Sequence, residues 1–364
     1  MQPESVKFLE TLINTPSPSG FEEPAQHLVA ERMEQFCDRV TSDVHGNVMG
    51  VVNPAGADKM RVMLAGHVDQ IGLMVQHITE EGYCYFVPIG GIDVPILSCQ
   101  RVLVHGAQGA VPGVIGKRAV HLMTPEERKK APELKELYID IGAGSRKEAM
   151  KLVAVGDPVT LVAPFQRLAG ETAAGGGFDD RVGSFVVVEA LRVLARRKPK
   201  VAVFGVSTVQ EELGLRGART SAYAIEPAAG IAVDVTHASD YPGSEKSRSG
   251  DVRLGKGPVL HRGANINPVL GQLMVDVARR KKIPWQFCGE PAATGTDANA
   301  IQINRAGAAA ALVSIPNRYM HTPVEVVSLT DLDDCIRLIA ETVLALEEDT
   351  DFRPLENHRR RRRA

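Results

Sequence analysis

RVMLAGHVD, residues 61–69, is an apolar run of strand length that stops at a histidine and, two residues on, an aspartate. Unbroken apolar runs of this kind suit a strand buried on both faces. Three others resemble it, at 201–209, 230–235 and 308–315. Helical periodicity alternates with them over 180–197, 268–281 and 330–347, and two amphipathic segments, 3–14 and 22–35, precede the first run. Strands alternating with helices predict an α/β sheet covered by helices on both faces.

Between 71 and 164 the texture changes. Short β-rich pieces (IGLMVQHI, YCYFVPIGG, RVLVHG, AVPGVIG, DPVTLVAP) are separated by Gly, Pro and Asp, and a charged interlude covers 125–136. This predicts a small, barrel-like β unit inserted into the α/β unit. The expected organisation is a discontinuous catalytic domain, 1–70 and 165–364, an inserted domain, 71–164, and a basic tail, 359–363, expected to be disordered.

Composition narrows the functions open to the chain. Of 364 residues, 44% are hydrophobic and 24% charged, the balance of a globular protein. Forty-two basic and 44 acidic residues leave a formal charge of −2, and five of the basic ones are Arg359, Arg360, Arg361, Arg362 and Arg363. The body is therefore acidic, and aromatics are only 5%, which argues against nucleic-acid binding by either a basic face or stacked bases. Five cysteines, Cys37, Cys84, Cys99, Cys288 and Cys335, lie far apart with no C-x-x-C pair, as in a reducing compartment. No segment reaches the ~18 apolar residues that span a bilayer, and no leader is recognisable at the N-terminus. A cytoplasmic location is expected, without membrane partners.

The chemistry-bearing residues cluster where apolar runs end. His67 and Asp69 follow 61–66, Glu211 and Glu212 follow 201–209, Asp234 closes 230–235, and His321 lies beyond 308–315. Asp179 sits in GGGFDDR, between a glycine loop and a helix. In an open α/β sheet the carboxyl ends of the strands form the ligand crevice. Taken singly, each residue has an ordinary role as a cap, a hydrogen bond or a solvated charge. Jointly, two histidines and several carboxylates at strand ends form the donor set of a two-metal hydrolytic site. No dinucleotide fingerprint, P-loop or Gly-x-Ser-x-Gly elbow occurs.

Six segments, AGHVDQIGLMV (65–75), GFDDRVG (177–183), VQEELGLRGA (209–218), VDVTHASDYPG (233–243), GTDANAIQ (295–302) and RYMHTPVEVV (318–327), resemble the tetrahedral metallo-aminopeptidases, a family that includes the glutamyl and deblocking aminopeptidases. The resemblance implies a mixed sheet of zinc-peptidase type. It further implies that His67 and Asp234 bind one divalent ion, that Glu212 and His321 bind the other, and that Asp179 bridges them. Asp69 would orient His67, and Glu211 would be the general base acting on a water shared by the two ions. Two divalent metal ions per subunit follow, Zn²⁺ or Co²⁺, with Mn²⁺ a further candidate. The substrates implied are peptides with a free N-terminus, and the assembly implied is a homo-oligomer, a dodecameric shell in which the β unit takes part.

Two other classes compete. A glycosidase would use Glu211 and Glu212 as its carboxyl pair, and a metal-containing scaffold would lack catalysis. Three local expectations accompany the main reading: an Asp180–Arg181 ion pair; Asp297 as cap of the helix that follows it, ahead of a part in shaping the pocket or a subunit contact; and His121 on the surface, ahead of lining a site or interface.

Overall fold

The computed structural model describes residues 1–356, so the tail at 359–363 lies outside the described residues. Its main body is one mixed sheet of eleven strands. At its centre Ala202–Thr208, Arg61–His67, Ala229–His237 and Ala309–Arg318 lie side by side and parallel, in that order. Antiparallel strands flank them: Val48–Val52 and Arg39–Ser42 on one side, Glu325–Ser328, Thr172–Gly175 and Gln166–Arg167 on the other. Val259–Gly263 branches from Ala309–Arg318 and pairs with Gln286–Glu290.

Both faces of this sheet are packed, as its unbroken apolar strands require. Successive side chains of a strand point to opposite faces, and Arg61–His67 shows the division. Val62 and Leu64 join one core with Leu9, Val29, Phe185 and Leu338 from helices Pro3–Asn14, Glu23–Glu34, Phe178–Arg197 and Leu329–Leu344. Met63 and Ala65 join another with Ala222, Ile225, Ala298 and Ile301 from Arg216–Ile225 and Asp297–Gln302. The expected mixed sheet between helical layers is the observed one.

The remaining strands form a closed antiparallel barrel in the order Gly72–Ile78, Cys84–Ile89, Tyr138–Asp140, Gly109–Gly116, Arg101–Gly106, Pro158–Leu161. Its interior is apolar, built around Leu73, Val75, Phe86, Val102, Val104 and Ile139. Closure removes the free strand edges that a small sheet would expose. Among the described residues, no helix is long and apolar enough to cross a membrane.

Candidate metal centre

Parallel pairing brings the strand ends to one edge. His67 is the last residue of its strand and lies opposite Thr208, the last of the next. After Thr208 the chain turns sharply, with Gln210 at φ +54°, so that the adjacent Glu211 and Glu212 leave the strict alternation of a strand. Asp234 lies within Ala229–His237, and Asp179 is the second residue of the helix Phe178–Arg197, which starts after Gly177. A glycine on each side permits the approach of strand and helix. A Cβ on Gly66 would fall 2.5 Å from the backbone carbon of Gly183, and one on Gly183 would fall 2.1 Å from the Asp180 carboxylate.

The result is one compact pocket of acids and imidazoles. Asp179 presents a different oxygen to each histidine: Oδ1 is 3.3 Å from His67 Nε2 and Oδ2 is 3.1 Å from His321 Nε2. Glu212 Oε1 lies 3.2 Å from the same His321 nitrogen, and Glu211 Oε2 lies 3.7 Å from His67 Nε2. Two sets of three candidate donor atoms each fall within 4.8 Å of one another, His67 with Asp180 and Asp234, and Asp179 with Glu212 and His321. The first set is buried. In the second, Glu212 and His321 are only half-buried.

Charge is badly matched within this pocket. Among the described residues, the ion-pair partners of Asp179, Glu211 and Glu212 are the two imidazoles. His321 is pushed up to about 11 by hydrogen bonds to Asp179 and Glu212, against the opposing effect of burial. For His67, burial works against protonation, but Glu211, Asp179 and Asp69 outweigh it and hold the imidazole well above its ordinary range. Burial drives Glu211 up to about 10, helped by repulsion from Asp234, Asp297 and Glu212 and opposed by His67. Burial also lifts Asp234, whereas hydrogen bonds to His321 and His67 overcome burial and keep Asp179 low.

Such a site lacks positive charge, and a divalent cation supplies it. The spacing agrees. Donor atoms about 2.1 Å from one ion at a tetrahedral angle lie about 3.4 Å apart, close to the separations of Asp179 from His67 and of His321 from Asp179 and Glu212. Imidazole and carboxylate donors are those that Zn²⁺, Co²⁺ and Mn²⁺ accept. The residues present fit divalent metal.

Around the donors lies a shell that the sequence discloses only in part. Asp69 meets His67 Nδ1 with its backbone oxygen at 3.0 Å and its carboxylate at 3.4 Å. The same carboxylate accepts Ser19 Oγ and the backbone N–H groups of both Glu211 and Glu212. Asp180 is not paired with Arg181. Its carboxylate accepts the N–H groups of His67 and Gly183, while the buried Arg181 guanidinium donates to carbonyls of Leu12, Thr15, Gly176 and Gly177. Nor does Asp297 cap its helix. Thr296 does, accepting from Ala298 N–H, and Asp297 is buried and hydrogen-bonded to Thr208 Oγ1. His121 is exposed on a short turn. Glu325, which no sequence pattern singles out, proves to be buried against the backbones of Asp179 and His321. Burial first, and then the Asp179 charge, lifts it to about 8.

A histidine-and-carboxylate pocket at the strand ends of a doubly covered sheet is the build of a metal-dependent hydrolase. The particular lineage follows from relatives: the sequence model of the M42 glutamyl aminopeptidases matches residues 46–338, and the chain belongs to that family. The lysyl aminopeptidase of Pyrococcus furiosus is 37% identical over 353 residues, 96% of this chain and 99% of that protein. A TET aminopeptidase from a marine sediment archaeon of the Thaumarchaeota has a TM-score of 0.90 at 36% identity, covering 94% of this chain and 97% of that one. The TET1 peptidase of Pyrococcus horikoshii, which can assemble into a tetrahedron or a large octahedral shell, has a TM-score of 0.84 at 31% identity, covering 94% and 100%. The chain is thus a hydrolase and an aminopeptidase, and its family is one of divalent-metal enzymes. None of these relationships supports a glycosidase over a peptidase.

Proposed function

We propose that the pocket holds two divalent ions, one between His67 and Asp234, the other between Glu212 and His321, with Asp179 shared. The observation that carries this reading is the division of the Asp179 carboxylate, one oxygen toward each imidazole. Asp180 belongs to the first set by distance, but each of its oxygens accepts a backbone N–H group, and we assign it as a support rather than a ligand.

Bound there, the ions would acidify a water and polarise the scissile carbonyl. The protein's own groups do the rest. Glu211, at the wall beside His67, takes the proton of the attacking water and returns it to the departing amine. Asp69 fixes the orientation of His67 and the turn that carries Glu211 and Glu212. The carboxylates of the pocket give the substrate's α-ammonium group its counter-charge, which limits cleavage to the first residue. A cavity of about 240 Å³ opens beside His321 toward the barrel, walled by Ile71, Ile92, Leu161 and Pro323. The substrates are peptides with an unblocked N-terminus.

We also infer a closed homo-oligomer, by analogy with the shells into which the P. horikoshii relative can assemble, and assign contacts in it to the barrel. A dodecamer is the size favoured. Five free cysteines suit the reducing cytoplasm. Zn²⁺, Co²⁺ and Mn²⁺ all match the donors, with availability deciding among them.

One experiment tests the whole reading. Aminoacyl substrates, free and N-acetylated, are offered to the full chain after EDTA treatment and again after each of the three ions is restored. Hydrolysis of unblocked substrates alone, lost on chelation and regained with metal, is expected. Cleavage of acetylated substrates, or undiminished activity in the stripped protein, overturns it.

A further inference from the structure

The RYMHTPVEVV segment contributes His321 to the pocket, yet its glutamate sits four residues further on. Glu325 begins the strand Glu325–Ser328, between Thr172–Gly175, which leads into the Asp179 turn, and Ala309–Arg318, which leads into the His321 turn. Its side chain is 1% exposed. Oε2 accepts the N–H groups of Phe178, at 2.6 Å, and Asp179, at 3.3 Å, and Oε1 accepts that of His321, at 3.0 Å. One carboxylate thereby ties together the backbones of two donor residues that lie far apart in the chain.

The need for such a tie is visible in the backbone. His67 ends a central strand, paired with Thr208 of the neighbouring strand, and its N–H donates to the buried Asp180 carboxylate. His321 lies past its strand, at φ +60°, a conformation that a non-glycine residue keeps only where its surroundings over-determine it. Its side chain is 35% exposed, against 2% for His67, so packing alone holds it poorly. Asp69 accepts N–H groups of Glu211 and Glu212 in the corresponding way on the opposite wall. Carboxylates that gather backbone N–H groups make strong, directional anchors.

We propose that Glu325 is a positioning residue that sets the separation of Asp179 from His321 and thereby the affinity of the ion held by His321, Glu212 and Asp179. The inference rests on the ligand assignment proposed above. In Glu325→Gln one oxygen becomes an NH₂ group facing an N–H group, so either His321 or the Phe178–Asp179 pair loses its acceptor and the tie between the two turns is broken.

The test uses the full chain loaded with Zn²⁺ alone and challenged with a chromogenic chelator, with release followed in time. The parent should release metal in two phases, of which His321→Ala abolishes one and His67→Ala the other. E325Q should accelerate the His321-dependent phase by the ~10–100-fold typical of lost support around a metal ligand, and the other phase, which shares Asp179 but not His321, by clearly less. Parental release of both ions overturns the proposal, as does equal acceleration of both, the mark of general loosening. If H321A keeps both phases, the ligand assignment itself fails; if H321A loses one and E325Q none, only the role of Glu325 fails. Should E325Q not fold, Glu325→Asp keeps the charge but retracts it by one methylene. The same selective acceleration, in smaller degree, is then expected, and its absence overturns the role equally.

Discussion

The edge of the sheet and the barrel beside it handle polarity in opposite ways. At the edge, His67, Asp69, Asp179, Asp180, Glu211, Asp234, Asp297 and Glu325 are all buried. Within 71–164 the single buried polar side chain is Thr160, and the barrel core is wholly apolar. The barrel instead leaves apolar side chains in water: Leu122 is 66% exposed, and Met150 and Val155 are 59% exposed. Burying charge costs stability unless something compensates it, and exposing apolar surface costs solubility unless something covers it. Each region therefore calls for a complement of its own kind, the edge for cations and the barrel for the partner surface that we propose.

The edge can be broken with the least structural disturbance at Glu211. Its side chain lies beside the proposed ligands without being one of them. Glu211→Gln should therefore leave metal content unchanged while turnover on an unblocked aminoacyl substrate falls by ~10²–10⁴, the range for a lost general base. Elemental analysis and kcat, measured on one preparation, decide the matter. Near-parental turnover would remove Glu211 from the reaction, and loss of metal would make it a ligand.

On the barrel the comparison predicts a change of assembly instead of chemistry. Leu122→Asp together with Val155→Asp places charge where we propose that a second copy packs. The large species that we propose for the parent should give way to smaller ones in light scattering, with a lesser change in turnover on small substrates, because no proposed ligand lies in the barrel. An unchanged particle size would show that these side chains are not the covered ones. A collapse of turnover with intact subunits would mean that assembly completes the site.

The same contrast governs what the sequence discloses. Strands buried on both faces leave an unmistakable mark, and polar residues that interrupt them stand out, so His67, Glu211, Glu212, Asp234 and His321 are conspicuous from residue order alone. The supports are not. Glu325 lies in PVEVV, where a glutamate between valines reads as the outward face of an alternating strand, and nothing local reveals that three backbone N–H groups from distant turns converge on it. Adjacency suggests an Asp180–Arg181 pair, but Arg181 is turned toward the carbonyls that close the first helix and the glycine loop. Thr296 and Asp297 are both good capping residues, and a helix start shifted by one residue decides between them. Edge strands such as Arg39–Ser42 are short and mostly exposed, so they carry little apolar pattern. The proposed donor residues are legible by type, whereas their supports are made by backbone geometry.

The smallest effect is expected at the C-terminus. All proposed ligands, Glu211, Asp69 and Glu325 lie between residues 67 and 325, and the family match ends at 338. The five arginines of 359–363 follow, in the sequence, every element that builds the pocket. Deleting 359–363 should then leave kcat and metal content at parental values, and shift only the salt dependence of KM for acidic peptides, if any parameter moves. A large loss of turnover would place the arginines in the machinery of the edge. A change of particle size with turnover intact would assign them to assembly, alongside the barrel.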